Sequence, residues 1–228
     1  MRRVYGIIVS AGKETRFEGE RPKTLSLYKG KSFLDRNIET LTPLCDRVVV
    51  VASKENQEWF ANYDNIVIDS GFGCGDAVMK ALVSLDVEDG DECFIVWGDC
   101  LCQWAKTISL FCEGDAERIF VPCVWEELPY VSISARENER LEVRFGKYGE
   151  IEGPGFHDLG FFYGNCELIL NKLKEFAQKI TFEGEYKHKH GNEMQFLDIF
   201  NETEVKGVAL PMSCKSISFN SMEELNNL

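Results

Sequence analysis

A short basic segment near the start of the chain could bind phosphate groups. Residues 9–16 read Val-Ser-Ala-Gly-Lys-Glu-Thr-Arg, and Pro22-Lys23 follows a few residues later. Gly12 would let the backbone approach a phosphate closely, and the Arg16 guanidinium could hold two oxygens at once. Attack on an α-phosphorus builds negative charge on its oxygens and on the departing pyrophosphate. Cations already in place, such as Arg16 and Lys23, would lower the barrier to that reaction.

The distribution of charge supports a local anion site in this segment. The whole chain has a net charge of −13, whereas residues 1–31 carry eight Lys or Arg against three Glu, a local net charge of +5. Proteins that bind nucleic acid carry a basic footprint, so the overall charge argues against that class of partner. A basic loop exposed to solvent is the alternative explanation for the first segment.

The elements predicted around this segment bring three loops to one edge of a sheet. Strands alternate with helices over the first 125 residues, which predicts a parallel sheet with right-handed crossovers. Ligands of such sheets bind at the carboxyl ends of the strands, where the loops after Val9, Ile68 and Trp97 meet. The predicted strands are residues 4–9, 47–52, 65–68 and 93–97, and the predicted helices are residues 32–41, 54–61, 77–85 and 104–111.

The second part of the chain has a different pattern. Short alternating segments from residue 126 to about 155 predict a small antiparallel insertion over the site. Ser221 would cap a last helix, with Glu224 at the capping-box position. The other predicted elements are a strand at 156–163, a helix at 166–179, a polar loop at 184–192, a helix at 192–200 and a strand at 205–210.

Length and composition bound the class of protein and its compartment. A chain of 228 residues with 44% apolar side chains suits one domain with a sizeable core. Its nine cysteines cannot all pair within the chain, which favours a reducing cytoplasm. No segment approaches the roughly 20 consecutive apolar residues of a membrane-spanning helix, so we expect no membrane partner.

The motifs, taken in order, resemble those of a known enzyme family. The run from Ala11 to Arg16, followed by Pro22-Lys23, resembles the A-G-x-G-T-R…P-K signature of the sugar-phosphate nucleotidyltransferases. The rest looks most like the pyrophosphorylase domain of N-acetylglucosamine-1-phosphate uridylyltransferases. The matching segments are Gly73-Cys74-Gly75-Asp76-Ala77, Trp97-Gly98-Asp99, His157-Asp158-Leu159-Gly160, Gly191 to Phe200 and Ser218-Phe219-Asn220-Ser221.

This resemblance implies a fold, a reaction and a set of site residues. The fold would be a Rossmann-like, mostly parallel sheet flanked by helices, the nucleotide-diphospho-sugar transferase fold, with a nucleotide-binding half (1–125) and an acceptor-binding half (126–228). The chain would transfer a nucleoside monophosphate from an NTP, with CTP or UTP as the expected nucleotide, to a small phosphorylated acceptor. The implied residues are Arg16 and Lys23 for catalysis; Ala11, Gly12, Lys13, Gly73, Cys74 and Gly75 for the nucleotide; Asp158, Gly160 and Glu193 for the acceptor; and Asp99 and Asn220 for Mg²⁺.

Several positions depart from the family pattern and leave alternatives open. Glu14 replaces the second glycine, which would place a carboxylate beside a triphosphate. The alternative function is therefore a nucleotide-binding sensor or scaffold of the same fold that has lost turnover. Ser70 and Gly71 stand where the uridylyltransferases read uracil, and Asp158 replaces their acceptor asparagine. The layout is also similar to choline-phosphate cytidylyltransferases, whereas methylerythritol-phosphate cytidylyltransferases carry D-A-A-R-P in place of Trp97-Gly98-Asp99.

A few further residues have two interpretations. His188 and His190 could contact an anionic acceptor or a metal, although an exposed polar loop is the simpler expectation. We expect Trp97, Trp104 and Trp125 to be core residues rather than base-stacking groups. The insertion at 126–155 also offers a surface for a homodimer.

Overall fold

The structure, a computed structural model, describes most of the chain. The described residues are 2–12, 17, 19–69, 71–112, 115–127, 129, 131–134, 141–147, 153–189, 191–212 and 216–228. Six residues singled out above lie outside these ranges, namely Lys13, Glu14, Thr15, Arg16, Ser70 and His190.

The strands and helices alternate through most of the chain. The strands are β1 (Val4–Ser10), β2 (Leu27–Tyr28), β3 (Lys31–Ser32), β4 (Arg47–Ser53), β5 (Ile66–Asp69), β6 (Glu92–Trp97), β7 (Arg118–Glu126), β8 (Val131–Ile133), β9 (Leu141–Glu142), β10 (Phe145–Lys147), β11 (Gly155–Asp158), β12 (Phe161–Asn165), β13 (Thr181–Phe182), β14 (Glu185–Tyr186) and β15 (Lys206–Pro211). The helices are α1 (Phe33–Leu41), α2 (Cys74–Ser84), α3 (Ala105–Cys112), α4 (Cys166–Ile180), α5 (Ile199–Glu202) and α6 (Met222–Asn226). Short 3₁₀ helices span Lys23–Leu25, Lys54–Phe60 and Phe196–Asp198.

Four parallel strands form the first half of the central sheet, in the order β5-β4-β1-β6. Val9 pairs with Val51 on one side and with Trp97 on the other, so the three strands end at the same level. These strands are almost continuously apolar because helices cover both of their faces. The predicted loops after β1, β5 and β6 therefore lie at one edge.

The second half of the sheet is mainly antiparallel, and two successive strands in it, β11 and β12, have different neighbours on one side. β12 pairs with β6, whereas β11, which directly precedes it, pairs with β8; both lie antiparallel to β7. Five positions separate Asp158 from Tyr163, but only three separate their β7 partners Cys123 and Phe120. Leu159 and Gly160 are therefore a two-residue bulge, and such a bulge bends a strand.

The two faces of the sheet have separate cores because side chains alternate along each strand. On β1, Ile7 packs into the cluster that contains Val78 of α2 and Phe176 of α4. Ile8 points to the opposite cluster, which contains Leu34 of α1 and Ile108 of α3.

Among the described residues, no helix combines the length and the apolar character needed to cross a bilayer.

Three predicted elements differ from the observed ones. The predicted helix at 192–200 is wrong for its first half, because residues 193–195 are extended against α2 and only Phe196–Glu202 is helical. The segment Lys54–Phe60 is 3₁₀ rather than α-helical. The predicted strand at 156–163 is divided into β11 and β12 by the bulge at Leu159 and Gly160.

Candidate active site

A cavity of about 440 Å³ opens at the carboxyl ends of β1 and β6. This volume lies in the range of pockets that bind small molecules. Eight of the residues predicted for the site line it, namely Ala11, Gly12, Lys23, Gly73, Cys74, Asp99, Glu193 and Asn220. Gly75, Asp158 and Gly160 are not among the described residues that line it.

Lys23 and Asp99 form an ion pair inside the cavity. The Lys23 ammonium donates to an Asp99 carboxylate oxygen, and only 12% of the lysine side chain is exposed. Lys23 begins a 3₁₀ turn directly after Pro22, in which the Leu25 amide donates to the Pro22 carbonyl. Pro22 fixes the approach of the backbone, so the lysine projects from a constrained turn.

Gly98 allows Asp99 to lie close to the end of β1 and to the turn that contains Thr24. The Gly98 amide donates to the Val9 carbonyl, and the Gly98 carbonyl accepts from the Thr24 hydroxyl. A Cβ atom at Gly98 would lie 2.6 Å from Ser10 Oγ and 2.8 Å from Thr24 Oγ1. Only glycine fits here without displacing those side chains.

Asn37 holds the turn that follows β6, residues 98–102, which we term the β6 turn. Its side-chain amide donates to the Cys100 carbonyl at 2.8 Å, and its carbonyl accepts from the Cys102 amide at 3.0 Å. Asn37 is fully buried on α1, whose N-cap is Ser32. The sequence analysis missed this residue; the only signal was a polar residue next to the apolar stripe of Leu34, Ile38 and Leu41.

The C-terminal segment also packs on the β6 turn. The Leu101 amide donates to the Ile217 carbonyl at 3.0 Å, and Cys100 and Ser218 form an isolated antiparallel bridge. This pairing brings residue 220 to the cavity from a distant part of the chain.

Phe219 anchors that segment. Its buried ring packs against Phe33 at 4.7 Å and Phe17 at 5.7 Å between ring centroids. The Lys23 ammonium lies 5.1 Å from the centroid of the Phe219 ring, within the range of a cation–π contact. One aromatic ring thus supports both Lys23 and Asn220.

A glycine loop, residues 71–75, forms another wall of the cavity. The Gly75 amide donates to the Met194 carbonyl, and the Met194 amide donates to the Phe72 carbonyl. Gly73 has φ of +103°, and a Cβ atom there would lie 2.5 Å from the Met194 carbonyl oxygen. The loop therefore requires glycine for its conformation and for this close contact.

The extended segment beside the glycine loop presents two polar side chains to the cavity. Gln195 donates to Glu193 at 3.1 Å, and the Cys74 thiol donates to the Gln195 side-chain oxygen at 3.4 Å. The family motifs implied Glu193 and Cys74 as site residues but did not include Gln195.

Asp158 has a local structural contact at the bulge. Its carboxylate accepts from the Gly160 amide at 3.0 Å, and Gly160 has φ of +74°. Burial raises the pKa of Asp158 above its ordinary value, whereas the Gly160 amide acts in the opposite direction. Its predicted contact with the acceptor stays a prediction.

The tryptophans differ in their environments. Trp97 is partly buried, packs edge-on against Phe162 and Phe196, and lines the cavity. Trp125 is 57% exposed and contacts Phe156, so the expectation that it belongs to the core is wrong.

Comparisons with known proteins identify related sequences and a related fold. Residues 6–148 match the family described as MobA-like NTP transferase domain, and this match covers more than half of the chain. A 2-C-methyl-D-erythritol 4-phosphate cytidylyltransferase from Alteromonas mediterranea is 33% identical over 97 residues, 38% of this chain and 39% of that protein. The bifunctional protein GlmU from Nitratidesulfovibrio vulgaris is 29% identical over 117 residues, 49% of this chain and 26% of that protein. The chain thus covers less than half the length of these curated relatives.

A solved structure shows the same architecture over nearly the whole chain. HddC from Yersinia pseudotuberculosis superposes with a TM-score of 0.71 at 17% identity, covering 98% of this chain and 96% of that chain. The fold class predicted from the sequence is confirmed. The motif resemblance to nucleotidyltransferases is confirmed by the family match and by the two curated relatives.

Replacing Gly98 with alanine should destabilise the fold, whereas the same change at Gly12 should not. Gly98→Ala would force Ser10 and Thr24 aside and should lower the free energy of unfolding by about 1–3 kcal/mol. Within the described part of the chain, a Cβ atom at Gly12 meets no atom within 4 Å, so Gly12→Ala should leave the free energy of unfolding unchanged or raise it by up to about 1 kcal/mol. Urea unfolding measures the free energy of unfolding of both variants. Equal values for Gly98→Ala and Gly12→Ala would contradict the packing at Gly98.

Removing the Asn37 side-chain amide should destabilise the β6 turn. Asn37→Leu leaves a buried carbonyl and a buried amide of the turn without their partner, at a cost of about 2–4 kcal/mol in unfolding free energy. The control is Asn171→Leu, the same substitution at an exposed position of α4, which should change the unfolding free energy by less than about 0.5 kcal/mol. An Asn37→Leu variant as stable as the control would show that the turn does not depend on Asn37.

Proposed function

Because the chain belongs to the MobA-like NTP transferase domain family, we propose that it is a nucleotidyltransferase. It joins the nucleoside monophosphate of an NTP to a small phosphorylated acceptor and releases pyrophosphate. The observation that carries this proposal is the arrangement of Gly12, Lys23 and Asp99 in one cavity at the carboxyl ends of β1 and β6. The name of one curated relative, a cytidylyltransferase, supports the same class of reaction.

The proposed reaction is an in-line displacement at the α-phosphorus. An oxygen of the acceptor phosphate forms a bond to the α-phosphorus, and the bond from that phosphorus to the bridging oxygen of pyrophosphate breaks. The acceptor phosphate is already an anion, so the step needs no general base. Its main requirement is positive charge placed where negative charge accumulates.

Lys23 and the backbone at Gly12 suit the phosphate end of the cavity. No atom of the described residues lies within 4 Å of a Cβ position at Gly12, which would allow a phosphate to approach its backbone. Lys23 lies in a constrained turn and supplies an ammonium group to the same cavity. Arg16, which lies outside the described residues, stays a predicted second cation.

The residues present fit a magnesium ion. Asp99 offers a carboxylate and Asn220 an amide oxygen to the same cavity, and both are hard oxygen ligands of the kind that Mg²⁺ prefers. Magnesium usually takes few protein ligands and shares its other positions with water and phosphate oxygens. When bound, it would offset the negative charge of the triphosphate. Among the described residues, no group of three or more His, Cys, Asp or Glu side chains is placed to hold a metal.

We propose CTP or UTP as the nucleotide and a sugar-1-phosphate or a phosphocholine-like molecule as the acceptor. The cytidylyltransferase name of one relative supports CTP. Glu193 and Gln195 line the cavity and provide hydrogen-bonding groups of the kind that bind sugar hydroxyls. These two residues therefore favour the sugar-1-phosphate among the acceptors.

We propose a cytoplasmic location. The eight described cysteines, which exclude Cys214, are all free thiols, as expected in a reducing compartment. A homodimer through the insertion also stays a prediction.

The proposed function is tested by pyrophosphate release from a matrix of substrates. The four NTPs are each combined, in the presence of Mg²⁺, with sugar-1-phosphates, phosphocholine and other small phosphates. Release with one pair identifies the base and the acceptor together. NTP binding without release from any pair would overturn the transferase and favour a nucleotide sensor.

Replacing either Lys23 or Asp99 with alanine should abolish most of the turnover. Asp99→Ala and Lys23→Ala should each lower kcat by about 10²–10³-fold, because each removes a group that stabilises charge in the transition state. Asp89→Ala and Lys174→Ala remove like charges from exposed positions and serve as matched controls. Circular dichroism confirms folding, and near-normal turnover of either site variant would contradict the assignment.

A further inference from the structure

Two buried carboxylates flank the glycine loop. Asp69 is the last residue of β5, and Asp76 lies in the first turn of α2. Their side chains are only 1% and 5% exposed. Two buried charges of the same sign on either side of a short loop require a compensating cation.

Lys80 supplies that cation to both carboxylates. Its ammonium lies 2.9 Å from Asp69 Oδ1 and 2.5 Å from Asp76 Oδ2. Burial lowers the pKa of Lys80, but the two carboxylates outweigh that effect and raise the pKa above its ordinary value. The lysine is therefore charged at neutral pH and joins the two ends of the loop.

The second oxygen of each carboxylate holds another part of the structure. Asp69 Oδ2 accepts from the Gly71 amide at 2.8 Å, which fixes the start of the glycine loop. Asp76 Oδ1 accepts from the Tyr186 hydroxyl at 2.8 Å, which attaches the β13–β14 hairpin. Each carboxylate thus uses one oxygen for Lys80 and the other to position its surroundings.

The cluster is adjacent to the cavity without forming part of its wall. Gly71, Gly73 and Cys74 line the cavity, whereas Asp69 and Lys80 are not among the described residues that do so. The positions of those three residues depend on the two ends of the loop. A change at Lys80 would therefore act on a ligand through the loop.

We propose that Lys80 is a positioning residue that fixes the glycine loop for nucleotide binding. This proposal rests on the proposed function. Without the ammonium, Asp69 and Asp76 repel each other and the ends of the loop move apart. The nucleotide then has to order the loop when it binds, so the loss appears in KM for the NTP rather than in the chemical step.

The test compares Lys80→Met with Lys174→Met, the same substitution at an exposed position of α4. Lys80→Met should raise KM for the NTP about tenfold or more, with kcat within about threefold of the wild-type value, because a buried ion pair has lost its cation. Lys174→Met should leave both constants unchanged. A Lys80→Met variant with a lower active fraction or kcat and an unchanged KM would overturn the proposal, since a purely structural role predicts that result.

A second substitution tests whether repulsion between the carboxylates is the cause. Adding Asp76→Asn to Lys80→Met removes one of the two charges and keeps an oxygen that can accept from Tyr186. KM should recover at least threefold relative to Lys80→Met alone. A double variant with the same KM as Lys80→Met, or a higher one, would overturn the mechanism.

Amide hydrogen exchange separates this proposal from the proposed function. In nucleotide-free protein, Lys80→Met should increase exchange at residues 71–75 at least about tenfold, with α4 unchanged. Unchanged exchange in the loop would overturn the positioning role. A wild-type chain that binds no NTP would overturn the proposed function instead, while the exchange result still decides whether Lys80 orders the loop.

Discussion

The β6 turn is held by hydrogen bonds from four separate segments of the chain. Gly98 is bonded to Val9 of β1 and to Thr24, Asn37 of α1 binds the backbone of the turn, and Ile217 pairs with Leu101. Backbone groups in a buried turn must find partners, because each unpaired one costs about 1–3 kcal/mol. The position of Asp99 follows from this constraint, and with it the geometry of the cavity.

Charge is compensated differently at four buried or partly buried carboxylates near the cavity. Asp99 pairs with Lys23, Asp69 and Asp76 share Lys80, and Asp158 accepts from a backbone amide while burial raises its pKa. A site for a triphosphate can tolerate nearby carboxylates only when their negative field is offset in this way. The acidic composition of the chain is thus compatible with an anionic ligand.

The sequence predicted the parallel half of the fold and the main charged residues of the site for physical reasons. Apolar runs such as β1 and β6 are diagnostic of strands buried on both faces, and Lys23 and Asp99 follow such strands at the expected edge. Tertiary contacts determine the features that the sequence did not predict. The segment 193–195 is extended because the close approach of Gly73 and Gly75 to Met194 overrides its local preference. The role of Asn37 depends on a hydrogen bond to residues more than 60 positions away, which a local pattern does not contain.

The bulge at Leu159 and Gly160 has a consequence for how such a protein can diverge. It lies between β12, which pairs with β6 and β7, and β11, which pairs with β7 and with β8 of the insertion. Among the described strands, β8 pairs with β10 and β11 and not with the four parallel strands, so new residues along β8 would leave β1, β4 and β6 in register. Under the proposed function, such changes would alter the acceptor half while the edge predicted to bind phosphate stays the same, and one scaffold could then serve different acceptors.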